Sequence, residues 1–473
     1  MEIISIPFAL LTILSIFIFY LLNHEYRITY LVFLSCCFIT SYNYYLTIYI
    51  ISYSLINYFI GIRIPLSKFK KNLFRIGVIL NLSQLIILKY AHFTIDPVFK
   101  IFNCNLNISK LPEILVPFGI SYFTLQGIGY LINVKMGWEK AEKKFENFLL
   151  YITFYPKFLS GPIERSNHFL PQLKVAKAFN EQKVIEGLRI ALFGCFKKLI
   201  IANPLGILVN SVYSDLNSYS GLNLWITILI QPIYLYFDFS GYTDIAIGLA
   251  KSYGIEILPN FNRPFLSENV TTFWRRFHMS LSLWFNDYLF KPISYRYRKW
   301  GHFASVFAVF LTFTLFGFWH GAGWNFMILG LIQAFAVNYE FLTKRIRTRI
   351  FSKMPSIFRI WTGRILTYIF YGGSLIFFFS SDINTSIRYF SKLATLKLTK
   401  NYDVSVRLLF FAFICSIVFL IFEILQKDYK ANYDKIEKYW TYHKFIRVIV
   451  YYIFVILILS DLTGELSFIY QMF

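Results

Sequence analysis

His320 closes an uninterrupted apolar run, Phe303 to Trp319, and opens onto Gly321 and Gly323 in the segment LFGFWHGAGWNFMILG. A histidine inside such a run is costly unless it is paired or at work. The glycines admit a backbone or a ligand at close range, and Trp319 and Trp324 offer apolar walls. A second histidine, His278, lies in NFNRPFLSENVTTFWRRFHMSLSLWFNDYL. There Phe273, Phe277, Leu281, Trp284 and Tyr288 recur at spacings of four, four, three and four, which predicts one amphipathic helix with an apolar stripe. Thr271, Arg275, Ser282 and Asn286 fall on the other side with His278 beside them. Ser267 reads as the N-cap of this helix, and Glu268 stands in the favoured first turn. A helix of this kind lies at a membrane face or lines a hydrophilic tunnel. His278 is therefore expected where a polar cavity meets the protein, with a hydrogen-bonded structural histidine as the competing reading.

The chemistry these residues offer is acyl transfer. A hydroxyl is a poor nucleophile until a base takes its proton, and imidazole titrates near neutrality. A thioester donor needs neither a metal nor a covalent enzyme intermediate if donor and acceptor meet at one base. A second histidine or another donor then holds the carbonyl oxygen as charge develops. No GxSxG, phosphate loop, HExxH or dinucleotide-binding glycine motif occurs. A His-x4-Asp signature is also missing, since Asn325 stands five places after His320 and Leu283 five places after His278.

Two carboxylates, Asp238 and Asp244, interrupt the apolar stretch YFDFSGYTDIAIGLA, with Ser240 and Asp244 four apart on one helix face. They read either as packing partners of Arg275 or Arg276 or as groups lining water. Upstream, PFGISYFTLQGIGY brings Ser121, Thr124 and Gln126 into one span, and FYPKFLSGPIER has the Pro and Gly punctuation of a broken helix. Either segment walls a cavity or packs helices through small residues. His24, His92, His168, His302 and His443 fall in loops or at span ends and read as structural. Cys36, Cys37, Cys104, Cys195 and Cys415 show neither a disulfide framework nor metal spacing.

The elements that must position these residues are membrane helices. Of 473 residues 57% are hydrophobic and 15% charged, against about 25% charged in a soluble domain. Apolar runs long enough to span fall near 3–22, 28–41, 44–62, 76–94, 114–134, 185–212, 222–250, 303–342, 364–381, 407–425 and 446–463. With 303–342 read as two spans or one broken one, this is an all-α polytopic protein of about eleven spans. Residues 147–163 form a broken or re-entrant helix, tolerated only where buried in protein or lining a cavity. The first 22 residues lack a basic n-region and a cleavage site, and read as a retained span. One membrane domain over 1–473 is expected, with its core at about 114–342 and further spans over about 364–463.

The formal net charge of +22 concentrates at the ends of apolar runs, notably KFKKNLFR (Lys68 to Arg75) and KRIRTRIFSK (Lys344 to Lys353). Both loops read as cytoplasmic, which places the N-terminus outside after three spans. The basic residues fit a solvated or lipid-headgroup face and not a nucleic-acid partner. The absence of internal repeats weighs against a transporter or flippase in which the carboxylates and histidines relay protons.

In this order and spacing, PFGISYFTLQGIGYLI, FYPKFLSGPIER, YFDFSGYTDIAIGLA, NFNRPFLSENVTTFWRRFHMSLSLWFNDYLF, FGFWHGAGWNF and the closing FIYQMF resemble the membrane-bound O-acyltransferase superfamily, in its bacterial alginate O-acetylation (AlgI-like) branch. The resemblance implies a helical ring around a tunnel in a multi-pass protein of the inner (cytoplasmic) membrane. It makes His320 the catalytic histidine and His278 its assistant. Trp274, Arg275, Arg276, Asp238, Ser240, Asp244, Gln126, Trp319, Gly321 and Asn325 are the expected tunnel-lining residues, and no bound metal or cofactor is expected. It further implies a cytoplasmic thioester co-substrate, acetyl-CoA or an acyl carrier protein. The acceptor would be an exported polysaccharide or an extracytoplasmic partner acetyltransferase. Asn286 departs from the branch pattern by standing where an arginine is usual, which removes a positive charge near the donor entrance. Transfer of D-alanine to teichoic acid is the nearest alternative activity.

Overall fold

The computed structural model describes residues 4–90, 119–219, 221–395, 397, 406–428 and 443–461. Cys104, the start of the segment at Pro117 and the closing FIYQMF lie outside the described residues. The described chain is helical throughout its regular elements, and eight of its helices are long and apolar enough to cross a membrane. Lipid offers backbone N–H and C=O groups no partner, so an apolar run must satisfy them internally and becomes a helix. The expected runs accordingly appear as helices, among them Tyr44–Leu66, Lys70–Leu88, Leu222–Ser252 and Ser356–Phe379, with shorter apolar helices at Ile6–Leu21 and Phe445–Leu459.

The chain forms two compact units, one of Met1–Ala191, Thr243–Pro259 and Leu283–Pro292, the other of Leu192–Tyr242, Asn260–Ser282 and Ile293–Phe473. In the first, a buried polar ladder ties three helices together. Tyr53 donates to Asn81 Oδ1 at 2.6 Å and to the Phe123 carbonyl at 3.0 Å, and Asn81 Nδ2 donates to Asn57 Oδ1 at 2.7 Å. The expected broken helix is present. Phe145–Thr153 ends in a buried irregular stretch before Ser166–Leu173 begins. Lys157 within it is 1% exposed and donates to Gln126 Oε1 at 2.8 Å and to the Tyr151 carbonyl at 2.6 Å.

In the second unit, the run at 303–342 resolves into two antiparallel helices, His302–His320 and Trp324–Leu342. They cross at Gly317 and Gly330, where a β-carbon on Gly317 would lie 2.3 Å from the Phe326 carbonyl and one on Gly330 2.2 Å from that of Phe313. Only glycine allows this approach, and it fixes where His320 ends its helix. A cluster of Val212, Leu216, Tyr219, Leu224, Ile228, Ile376 and Tyr389 holds the start of Leu222–Ser252 against Ser356–Phe379. Gln231 Nε2 donates to the Gly372 carbonyl at 2.6 Å across the same pair. Along Glu181–Ser214 the turns of Lys197–Ala202 widen to a π-helix, and this turn carries Lys198.

Candidate active site

Within the second unit His278 and His320 line one cavity of about 20 Å³, together with Leu235, Trp274, Phe316, Gln333, Tyr371 and Phe378 among others. Such a volume holds about one ordered water, since roughly 10–15 Å³ suffices. Both imidazoles are buried, His278 fully and His320 to 4% exposure. The Trp319 ring lies against both, with its centroid 5.9 Å from His278 and 5.0 Å from His320. Phe239 meets His278 edge-on at 4.7 Å, and Phe316 and Phe378 flank His320 at 5.0 and 5.6 Å. The Trp274 indole donates to Gln333 Oε1 at 3.1 Å, and Gln333 Nε2 donates to Ser374 Oγ at 2.8 Å. Gln333 thus orients one wall and is itself held from behind.

The element carrying His278 differs from the single amphipathic helix expected. It is two short helices, Val270–Trp274 and Met279–Phe285, joined at His278, whose φ is 47°. A residue in the left-handed region cannot continue a right-handed helix, so the chain turns there. The apolar stripe survives the break, because Phe273, Phe277, Leu281 and Trp284 are all buried. His278 lies buried at the turn and not beside a polar face. The N-cap is Asn269, whose Oδ1 accepts from Thr272 N at 2.8 Å, in place of Ser267. Glu340 reinforces this end: its carboxylate accepts from Val270 N at 2.6 Å, Thr271 N at 2.9 Å and Thr271 Oγ1 at 2.6 Å.

Several expected tunnel residues do other work. Asp238 pairs with Lys198, both fully buried, and not with Arg275 or Arg276. Arg275 is exposed and Arg276 half-buried, and neither lines the cavity. Ser240 is buried away from the lining. Gly321 leaves room for protein and not for a ligand, since a β-carbon there would meet the Phe326 ring at 2.2 Å. Asn325 donates to the carbonyls of Phe377 at 3.1 Å and Ser380 at 2.8 Å, satisfying the end of Ser356–Phe379. Trp324 is 61% exposed and does not line this cavity. Gln126 and Asp244 belong to the first unit, where Gln126 receives Lys157. Asn286 also lies there and donates to Asp287 Oδ1 at 3.1 Å. Of the expected set, Trp274 joins the histidines on the lining and Trp319 backs both of them.

Lys198, Asn260, Gln333 and Glu340 escaped the sequence reading. Lys198 and Gln333 were open to the argument applied to Asp238, being polar residues within apolar runs. Nothing local marks Asn260. Among the described residues no three His, Cys, Asp or Glu side chains come together as a metal would require.

Residues 139–382 match the family model of MBOAT, the membrane-bound O-acyltransferase family. Over 279 residues the chain is 34% identical to "Probable alginate O-acetylase AlgI" of Pseudomonas aeruginosa, covering 58% of this chain and 53% of that protein. It is 30% identical over 362 residues to the peptidoglycan O-acetyltransferase of Helicobacter pylori, covering 70% and 67%. Against the teichoic acid D-alanyltransferase of Bacillus subtilis it is 32% identical over 244 residues, covering 49% and 61%. The match thus spans about half the length of the alginate O-acetylases, 53% for the Pseudomonas aeruginosa protein.

Proposed function

The chain belongs to the membrane-bound O-acyltransferase family, and on that premise we propose that it transfers an acetyl group from a cytoplasmic thioester to a hydroxyl of an exported polysaccharide or of an extracytoplasmic partner transferase. The observation that carries the reading is the pair of buried imidazoles on one small cavity. His320 is the general base. It takes the proton of the acceptor hydroxyl as that oxygen attacks the thioester carbonyl, and the carbon–sulfur bond then breaks. The proton passes to the departing thiolate, so the products are an ester and a free thiol. His278 assists from the donor side, where an N–H stabilises the oxyanion as it forms. Trp274, Gln333 and the aromatic rings exclude bulk water, which would otherwise hydrolyse the donor.

Acetyl-CoA or an acetylated carrier protein is the co-substrate, and the protein works in the cytoplasmic membrane. Transfer of D-alanine is the second reading, favoured by the similarity to a teichoic acid D-alanyltransferase. Both readings use the same base and differ in the acyl group and in the acceptor.

The test is thiol release by purified protein given acetyl or D-alanyl thioesters, with and without a polysaccharide acceptor. General-base catalysis contributes about 10²–10⁴-fold, so His320→Ala should lose measurable transfer while eluting as a monodisperse species. His278→Ala should be impaired less completely. A folded His320→Ala protein with near wild-type turnover would falsify the assignment.

A further inference from the structure

Asn260 makes a set of contacts to the two residues that follow His278. It is fully buried and sits 18 positions before the histidine in sequence. Its main-chain carbonyl accepts from Met279 N at 2.9 Å, and its Oδ1 accepts from Ser280 N at 3.3 Å and from Ser280 Oγ at 2.6 Å. Two residues on, Asn262 N donates to the Arg276 carbonyl at 2.9 Å. The backbone is therefore tied down on both sides of position 278, at 276 and at 279–280. Between the two asparagines, Phe261 packs edge-on against Phe277 at 5.1 Å and Phe239 at 5.2 Å, and Phe239 in turn meets the His278 ring.

Met279 and Ser280 open the helix Met279–Phe285, and His278 stands at its N-cap position. A helix start leaves its first amides without partners inside the helix. Usually the N-cap residue answers them with its own side chain, which is why Ser, Thr, Asp and Asn prevail there. Here the capping oxygens come from Asn260, far off in sequence. Position 278 is thereby released from the capping duty and is open to an imidazole that lines the cavity. The same bonds fix the left-handed φ of 47°, which a residue with a β-carbon would otherwise relax away from.

We propose that Asn260 is a positioning residue for acyl transfer, capping the Met279–Phe285 helix in place of residue 278 and so holding His278 toward the reaction. The proposal rests on the reading of His278 and His320 as the working pair. It concerns geometry at the reacting centre and not affinity, so its signature is a fall in kcat with KM unchanged.

The experiment uses the full chain in detergent, with acetyl-thioester turnover and amide hydrogen exchange measured on the same samples. Asn260→Ala should lower kcat by about 10- to 100-fold at constant KM, the scale of an ångström-sized misplacement, and accelerate exchange in 276–282. Asn260→Asp, which keeps an acceptor oxygen in place, should recover most of both. Ser280→Ala removes one of the two side-chain bonds, retains the fold with little disturbance, and should cost a smaller fraction of kcat. A folded Asn260→Ala protein with wild-type kcat, or one whose loss lies in KM, overturns the proposal and leaves the His320 assignment standing. Wild-type protein that releases no thiol from any thioester overturns the functional reading, and the proposal with it.

Discussion

The backbone of His278, at φ 47°, is one that glycine adopts freely. A residue with a β-carbon adopts it at a cost of about 1–2 kcal/mol. That cost is independent of the imidazole, so stability and activity should separate at this position. His278→Ala keeps the conformational cost and loses the ring, whereas His278→Gly loses both. The glycine variant also gains freedom in the unfolded chain, which offsets part of the relief. The net expectation is that His278→Gly melts above His278→Ala by the equivalent of about 1 kcal/mol, with both impaired in acyl transfer. Scanning fluorimetry of the two purified variants decides it. An alanine variant as stable as the glycine variant would mean that the turn at 278 is not held in the left-handed region.

Between elements the decisive contacts are buried polar pairs. Lys198 on the widened turn Lys197–Ala202 reaches Asp238 on Leu222–Ser252, and both side chains are out of solvent. Breaking such a pair strands a charge at a cost of about 3–5 kcal/mol, while replacing both partners by apolar residues is often neutral. Asp238→Asn should therefore depress the yield of monodisperse protein, and Lys198→Met combined with Asp238→Leu should restore it. Full yield from the single variant would show that the two helices do not depend on the pair. In the first unit the helix Ser166–Leu173 is tied to Glu164 by a bond between His168 Nδ1 and Glu164 Oε2 at 2.9 Å. This partner raises the histidine's pKa above its ordinary 6.5. A group whose pKa rises on folding stabilises the fold below its unfolded value and loses that contribution as pH climbs through the folded one. The melting temperature should accordingly fall from pH 6 upward through the neutral range, and His168→Gln should flatten that part of the profile. An unchanged slope in the variant assigns the pH dependence elsewhere. These pairings also mark the limit of what was legible in the sequence. Asp238 stood out as a carboxylate in an apolar run, yet its partner is set by a helix 40 residues away in the chain, beyond any local pattern.

Across the whole molecule legibility follows from the solvent. Where the surroundings are hydrocarbon, a long apolar run satisfies its own backbone groups as a helix, so most of the long apolar runs were readable as helices. The break at His278 was not, because the periodicity of the apolar stripe continues through it and the bonds that hold the turn come from Asn260. Orientation is a property of the same scale. The basic segments at 68–75 and 344–353 are the densest positive clusters, and both are expected on the cytoplasmic side. The second segment is itself a helix, Lys344–Phe351, with Ile346 and Ile350 exposed at 63% and 57% one turn apart. Its basic residues therefore sit beside an apolar strip, a pattern that a headgroup layer accepts, and the helix is expected at the membrane surface on the side where anionic lipid is richest. Single cysteines placed at Lys71 and Arg349 in a background without the native cysteines should resist a membrane-impermeant thiol reagent in intact cells and react after permeabilisation. Labelling of one site but not the other from outside would require an odd number of crossings between them and defeat this expectation. Labelling of both from outside would invert the protein in the membrane and place the proposed thioester entrance on the wrong face.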